Sequence, residues 1–369
     1  MSKLRLLFAV QGDGRGHLTQ ALAVRELLRA AGHELAAVLV GTAPRRELPA
    51  FFRDKIDAPL IPLESFDLVT DKHNRRVSTA ATLADNLRRL PKLAAGSNLV
   101  RNCLRQFQPD VLVNFYEPIV GLTFQWLRPC TRMVAAANQY MFDHPDFQPP
   151  PARQIEWRSL RAYNRVTAPP PAVKLAFSFR PQPNAPRRRI RVMPPILRPE
   201  VLSRPPGPTE DFILVYLLKT GFLEEIRKWS DSHPNVRMHC FTDRKADMSK
   251  ATPNEKLTLH ALNDVTFLDL MSRCRGLVCT SGFQSLGEAH WFGKPVLTVP
   301  VENHFEQACN ARDVEVSGAG IAESRFNLDR FLAYLPTAAF DPEPYRAWVR
   351  TAGNVFLEEI ERAVLMFHD

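Results

Sequence analysis

Between Gly276 and Ala311 the chain packs two strand signals and two helix signals into one unbroken run, "GLVCTSGFQSLGEAHWFGKPVLTVPVENHFEQACNA". Such close alternation is the pattern of an α/β layer. Gly276 to Thr280 is a short apolar run of strand character. Ser281 and Gly282 supply cap and turn chemistry for a helix through Trp291 and Phe292, which Gly293 and then Pro295 stop. "PVLTVP" reads as a second buried strand, and Pro300 opens a loop into a helix beginning near His304.

The polar residues of this run fall where chemistry is possible. Ser281 and Gly282 sit where backbone N–H groups at a helix N-terminus hold phosphate, and Ser285 and Glu288 follow on the same helix, one turn apart. A carboxylate at Glu288 suits the two hydroxyls of a ribose. Glu306 and Gln307, an adjacent acceptor and amide, suit hexose hydroxyls. Each residue alone is equally well explained as a helix cap or a solvated charge; their common order carries the reading.

The N-terminus repeats the strand–turn–helix signal. Leu4 to Val10 is a buried-type strand, Gln11 to Gly16 a glycine-rich turn, and Leu18 to Ala30 an amphipathic helix ended by Gly32. Gly12, Gly14 and Gly16 permit a tight bend and close approach of a ligand. A dinucleotide fingerprint needs a further glycine where His17 stands, and no ribose-binding acid follows the next strand, which argues against NAD.

The C-terminal run resembles the signature of family 28 glycosyltransferases, the GT-B group that includes the UDP-N-acetylglucosamine transferase of lipid II synthesis and plant galactolipid synthases. That pattern is Ser-Gly, a Glu seven residues beyond the Ser, Gly-x-Pro, a Gln-Gln or similar pair, then Asn-Ala. Here it reads Ser281, Gly282, Glu288, Gly293 with Pro295, Glu306, Gln307, Asn310 and Ala311, with Glu306 replacing the first glutamine. The opening "GDGRGHLTQALAV" resembles the family loop "GGTGGHxxPALAxA", which faces the acceptor and the donor phosphates. His17 matches its histidine, and Asp13, Arg15 and Thr19 depart from it. "LLKTGF" stands where the family has a glycine-rich phosphate loop, so Lys219 is expected to act as a point charge there. "DVTFLDLM" resembles the family's "FIDDM" segment, where main chain beside Phe267 and Leu268 is expected to meet the nucleobase.

The resemblance implies a GT-B fold: two Rossmann-like parallel-sheet domains facing across a cleft, with a C-terminal helix crossing back to the first. It implies transfer of a hexose-type sugar from a UDP-sugar to an acceptor hydroxyl with inversion, without cofactor or bound metal. His17 is the expected base, with Asp13 and Glu117 behind it, and Gly14 and Gly16 are expected near the donor. Glu117, Asn138 and Gln139 end strand-like runs, where open α/β sheets place ligands. An epimerase of the same architecture and a catalytically inactive binding module are the competing readings.

With 369 residues the chain suits two domains, expected at 1–203 and 204–345, with 346–369 as the returning helix. The proline- and arginine-rich stretch from Phe147 to Pro208 is read as containing the connection. No apolar run approaches the roughly 20 residues of a membrane span, and the first apolar run leads straight into the glycine loop, so it reads as a strand and not a secretion signal. Six scattered cysteines without metal-ligand spacing fit reduced thiols in a cytosolic protein. The net charge of +9, densest at Arg187, Arg188, Arg189 and Arg191, is read either as affinity for a phosphorylated donor or as contact with an anionic membrane carrying a lipid-linked acceptor. No aromatic-basic interleaving supports nucleic acid.

Overall fold

The computed structural model describes residues 3–12, 14–42, 47–65, 90–151, 153–217, 222–242 and 256–365. The chain divides into two units: one reaches Pro199 and takes in the C-terminal segment from Ala347, and the other contains Glu200–Arg346.

The first unit is built on seven parallel strands: β1 (Arg5–Gln11), β2 (Glu34–Thr42), β3 (Leu60–Glu64), β4 (Val111–Phe115), β5 (Arg132–Ala137), β6 (Val173–Phe177) and β7 (Ile190–Met193). Their order across the sheet is β3-β2-β1-β4-β5-β6-β7. The central strands are near-continuous Leu, Val, Ala and Phe because both faces are covered; β4 is buried at every residue. At the edge, β3 carries an exposed Pro62, a residue without the N–H that a central strand needs. Around the sheet lie α1 (Arg15–Ala30), α2 (Ala50–Lys55), α3 (Leu90–Phe107), α4 (Pro118–Leu127) and α5 (Gln154–Thr167).

The proline- and arginine-rich stretch is more than a connection. It holds α5, β6 and β7, and so completes the sheet, with its prolines falling between the elements. The short α6 (Pro199–Leu202) follows it.

The second unit has six parallel strands: β8 (Ile213–Tyr216), β9 (Met238–Thr242), β10 (Leu257–Ala261), β11 (Gly276–Cys279), β12 (Val296–Thr298) and β13 (Gly320–Ala322). Their order is β10-β9-β8-β11-β12-β13. Its helices are α7 (Leu223–Ser232), α8 (Asp264–Arg273), α9 (Phe283–Trp291), α10 (Phe305–Val316), α11 (Leu328–Tyr334) and α12 (Glu343–Arg350). As the sequence predicts, Gly293 ends α9: it adopts φ 67°, and Lys294 N–H returns to the Ala289 carbonyl at 2.9 Å.

The C-terminal run, expected as one helix, is two. Thr351 Oγ1 donates to the Trp348 carbonyl at 2.7 Å between α12 and α13 (Ala352–Leu365), a back-bond of the kind that bends helices. α13 packs on β4, β5 and β7 of the first unit. Phe356 and Ile360 are fully buried, each contributing about 2 kcal/mol. Glu359, 4% exposed, pairs with Arg191 of β7 at 3.5 Å, and Trp348 Nε1 donates to the Ser178 carbonyl at 3.0 Å. No helix among the described residues is long and apolar enough to cross a membrane.

Two histidines of the second unit make its stability depend on pH. Burial holds His290 down at about 4, opposed only by its bond to the Leu286 carbonyl, and burial together with neighbouring His260 holds His239 down at about 4. Both are neutral when folded and regain an ordinary affinity for protons, near pH 6.5, when unfolded. Their contribution is therefore complete above pH 6.5 and is lost as the pH falls toward 4. For His290 the loss is on the order of 3 kcal/mol. The thermal midpoint is expected to drop across that window, and to drop less in His290→Gln, as measured by calorimetry from pH 7.5 to 4.

Candidate active site

In the second unit the turn after β11 is set by a left-handed residue. Ser281 adopts φ 58°, and the Asn310 side chain, reaching from α10, donates to the Ser281 carbonyl at 3.0 Å. Asn310 is thus the strut that holds the turn. Ser281 is fully buried, and its Oγ has no hydrogen-bond partner among the described residues. Gly282 occupies the cap position of α9 without any side-chain cap, and no acidic residue sits in the first turn. The positive end of the α9 dipole therefore carries no acidic side chain in its first turn.

Ser285 is half-buried in that first turn, and Glu288 lies one turn further on, only 1% exposed. Glu288 is therefore no solvated surface charge. Gln284 Nε2 donates to Glu288 Oε1 at 3.4 Å. Tyr345 donates to the Gly287 carbonyl at 3.1 Å, and burial together with the Glu288 charge keeps its phenol protonated well above the usual range.

At the start of α10, His304 caps the helix, its Nδ1 accepting from Gln307 N–H at 3.4 Å. Gln307 Oε1 in turn accepts from Val301 N–H at 2.8 Å. The Gln307 carbonyl oxygen thus closes the loop before α10. Glu306 is half-buried beside it.

Phe267 and Leu268 are placed differently from the expectation. They lie on α8, capped by Asn263, and both are buried. Phe267 packs against Tyr216 at 4.5 Å and Phe241 at 5.2 Å, and its N–H donates to the Asn263 carbonyl at 2.9 Å. The Phe267 ring is thus held in the core and its N–H in the helix ladder. Lys219 and Asp13 lie outside the described residues.

In the first unit the glycines divide by role. A Cβ on Gly12 would stand 2.6 Å from Thr42 Cγ2, so packing against β2 demands glycine there. Gly14 caps α1 at φ 156°, and a Cβ on Gly16 would meet nothing within 4 Å. Arg15 lies over the Phe51 ring at 4.2 Å. His17 is half-buried on the first turn of α1, where its Nδ1 is 3.3 Å from Gln20 Oε1. Its ring stacks on Tyr116 at 5.7 Å and 23°. Tyr116, at φ 65°, is fixed by a bond from its hydroxyl to Asn164 Oδ1 at 2.7 Å.

Glu117 needs correction as a reserve base. It is fully buried, caps α4 by accepting from Ile119 N–H at 3.0 Å, and accepts from Ser65 Oγ at 2.8 Å. Its other oxygen fills the space that a side chain on Gly41 would take, 1.8 Å from an ideal Cβ. Asn138 and Gln139 are likewise buried, in a 3₁₀ turn after β5.

Two parallel-sheet α/β units, of seven and six strands, fit the GT-B fold of glycosyltransferases. A model of the family described as "Glycosyl transferase family 1" matches residues 4–336, and the chain belongs to that family. The glycotransferase of kitacinnamycin superposes with a TM-score of 0.65 at 17% identity, over 98% of this chain and 100% of that one. MurG of Acinetobacter baumannii gives 0.56 at 16% identity, over 98% and 100%. Arabidopsis thaliana UGT89C1 complexed with UDP-L-rhamnose gives 0.60 at 13% identity, over 99% of each chain. At such identities the likeness is one of fold. No curated protein matches the sequence.

Gln20 and Tyr116 contact His17 in the first unit, and Gln284 contacts Glu288 in the second, without having been singled out in the sequence. Gln284 stands four residues before Glu288 and Gln20 three after His17, spacings that share a helix face and would have drawn attention to both.

The glycines give a direct check. Gly41→Ala is expected to cost more than about 2 kcal/mol in urea unfolding, because Glu117 must leave its cap. Gly16→Ala is expected to stay within about 0.5 kcal/mol of the wild type, so any loss of ligand binding there reports close ligand approach.

Proposed function

We propose that this chain transfers a hexose-type sugar from a UDP-sugar to an acceptor hydroxyl with inversion, as the family 28 signature suggests. The observation that carries the reading is the start of α9: a left-handed turn, a buried hydroxyl without a partner among the described residues, and glycine at the helix cap. That arrangement suits a diphosphate, whose charge grows as it departs. UDP-L-rhamnose in a structurally similar protein favours uridine as the nucleobase.

In this reading Ser281, Gly282 and Ser285 meet the diphosphate, Glu288 the ribose, and Glu306 with Gln307 the sugar. His17 takes the proton from the acceptor hydroxyl. The acceptor oxygen bonds to the anomeric carbon, the bond from that carbon to the diphosphate breaks, and its electron pair leaves on UDP. Arg158, Arg165, Arg187 and Arg189 make no ion pair among the described residues, which supports contact with an anionic membrane and hence a lipid-linked acceptor.

A thermal-shift panel of UDP, GDP, dTDP and ADP with their sugar conjugates tests the donor. UDP at about 100 times its Kd is expected to stabilise by about 2.7 kcal/mol, and Glu288→Ala to abolish that shift. No shift with any nucleotide would defeat the donor assignment. His17→Ala is expected to lower turnover by about 10²-fold or more while UDP stabilises it as before; unchanged turnover would remove His17 as the base.

A further inference from the structure

Gln284 stands in the first turn of α9 and is only 8% exposed. Its Nε2 donates to Glu288 Oε1 at 3.4 Å, one turn along the helix, while its own Oε1 has no hydrogen-bond partner among the described residues. The orientation of the amide follows from its neighbour: were the oxygen turned toward the carboxylate, two acceptors would face each other. A buried amide oxygen left unbonded costs free energy that an apolar side chain of the same size would not.

Beside Glu288 this oxygen gives α9 two neighbouring acceptor groups, a carboxylate and an amide carbonyl, and two neighbouring acceptors select two neighbouring donors. Ionised phosphate oxygens bring no donor. A 2′-deoxyribose in a nucleoside diphosphate brings one free hydroxyl, and ribose brings two, on adjacent carbons. The order along the chain agrees: the left-handed turn at Ser281 and the Gly282 cap, which the donor reading gives to the diphosphate, come before Gln284, and Glu288 follows one turn later. In a nucleoside diphosphate the ribose is the group bonded directly to the phosphates.

We propose that Gln284 and Glu288 together read the vicinal diol of a ribonucleotide: Gln284 Oε1 accepts from one ring hydroxyl, and Glu288, oriented by Gln284 Nε2, accepts from the other. The inference rests on the reading of the α9 turn as the donor site. It makes Gln284 a specificity-determining residue, one that admits ribonucleoside diphosphate sugars and disfavours their deoxyribonucleoside counterparts. A deoxy donor leaves the buried amide oxygen unbonded in the complex, and a site built to bond a hydroxyl rejects the analogue that lacks it more strongly than an apolar pocket rejects a change of size.

The test is a cycle between one side chain and one hydroxyl. Calorimetric titration measures Kd for UDP, 2′-deoxy-UDP and 3′-deoxy-UDP with the wild type and with Gln284→Met, which keeps the buried volume and removes the amide. In the wild type at least one deoxy analogue is expected to bind about tenfold or more weakly than UDP. In Gln284→Met, UDP is expected to weaken and that same analogue to come within about twofold of it, because the group that read the missing hydroxyl is gone. A purely structural role for Gln284 would weaken all three ligands alike. Equal penalties in wild type and variant, or no penalty in the wild type, overturn the proposal and leave the donor site standing, since UDP still binds. Complete loss of UDP binding by Gln284→Met with a wild-type circular dichroism spectrum also overturns it and places Gln284 on the diphosphate. Where Gln284→Met does not fold, Gln284→Asn, which draws the amide back by one methylene, is read by the same ratios. If the wild type binds none of these ligands, the donor reading itself fails and the role of Gln284 falls with it.

Discussion

Both sheets are parallel throughout, and a parallel sheet is stable only with both faces covered. Polar chemistry is thereby driven off the strands to the turns where strand passes into helix. His17 follows β1, Glu117 follows β4, and Ser281 follows β11. The same constraint explains the returning α13, which covers β4, β5 and β7 with Phe356 and Ile360.

Much of this was legible in the sequence where signals are local. The α9 segment is bounded by Ser281 and Gly282 before it and Gly293 after it, and β1, the glycine turn and α1 follow from one apolar run, three glycines and one amphipathic stretch. Legibility failed where strands are short and punctuated. β6 and β7 have five and four residues, and the prolines around them read as a linker. Phe267 and Leu268 lie in a run that supports either strand or helix by pattern alone, and Asn263 as a cap, with Thr266 N–H bonded to it at 2.9 Å, decides for helix.

The roles of Glu117 and Asn310 could not be read locally, because their partners are distant in sequence. Glu117 depends on Ser65 and on the space above Gly41; Asn310 depends on the Ser281 carbonyl, 29 residues earlier. A motif tells that an asparagine belongs at position 310. Only the packing of α10 against the turn tells that its work is to hold Ser281 in a left-handed conformation, which costs free energy for a residue with a side chain.

The turns after β4 and β11 form a natural experiment. Each strand pairs directly with the first strand of its sheet, β4 with β1 and β11 with β8. Each is followed by a left-handed residue, Tyr116 at φ 65° and Ser281 at φ 58°, and then by a helix. At α4 the cap is Glu117, whose carboxylate occupies the helix end with a bond to Ile119 N–H. At α9 the cap is Gly282, which has no side chain to make such a bond. A carboxylate at the first end repels an incoming anion; glycine at the second adds no charge there. Equivalent backbone positions thus diverge through one side chain: the α4 end is filled by the Glu117 carboxylate, the α9 end has glycine at its cap, and the first unit's turn places Tyr116 against the His17 ring.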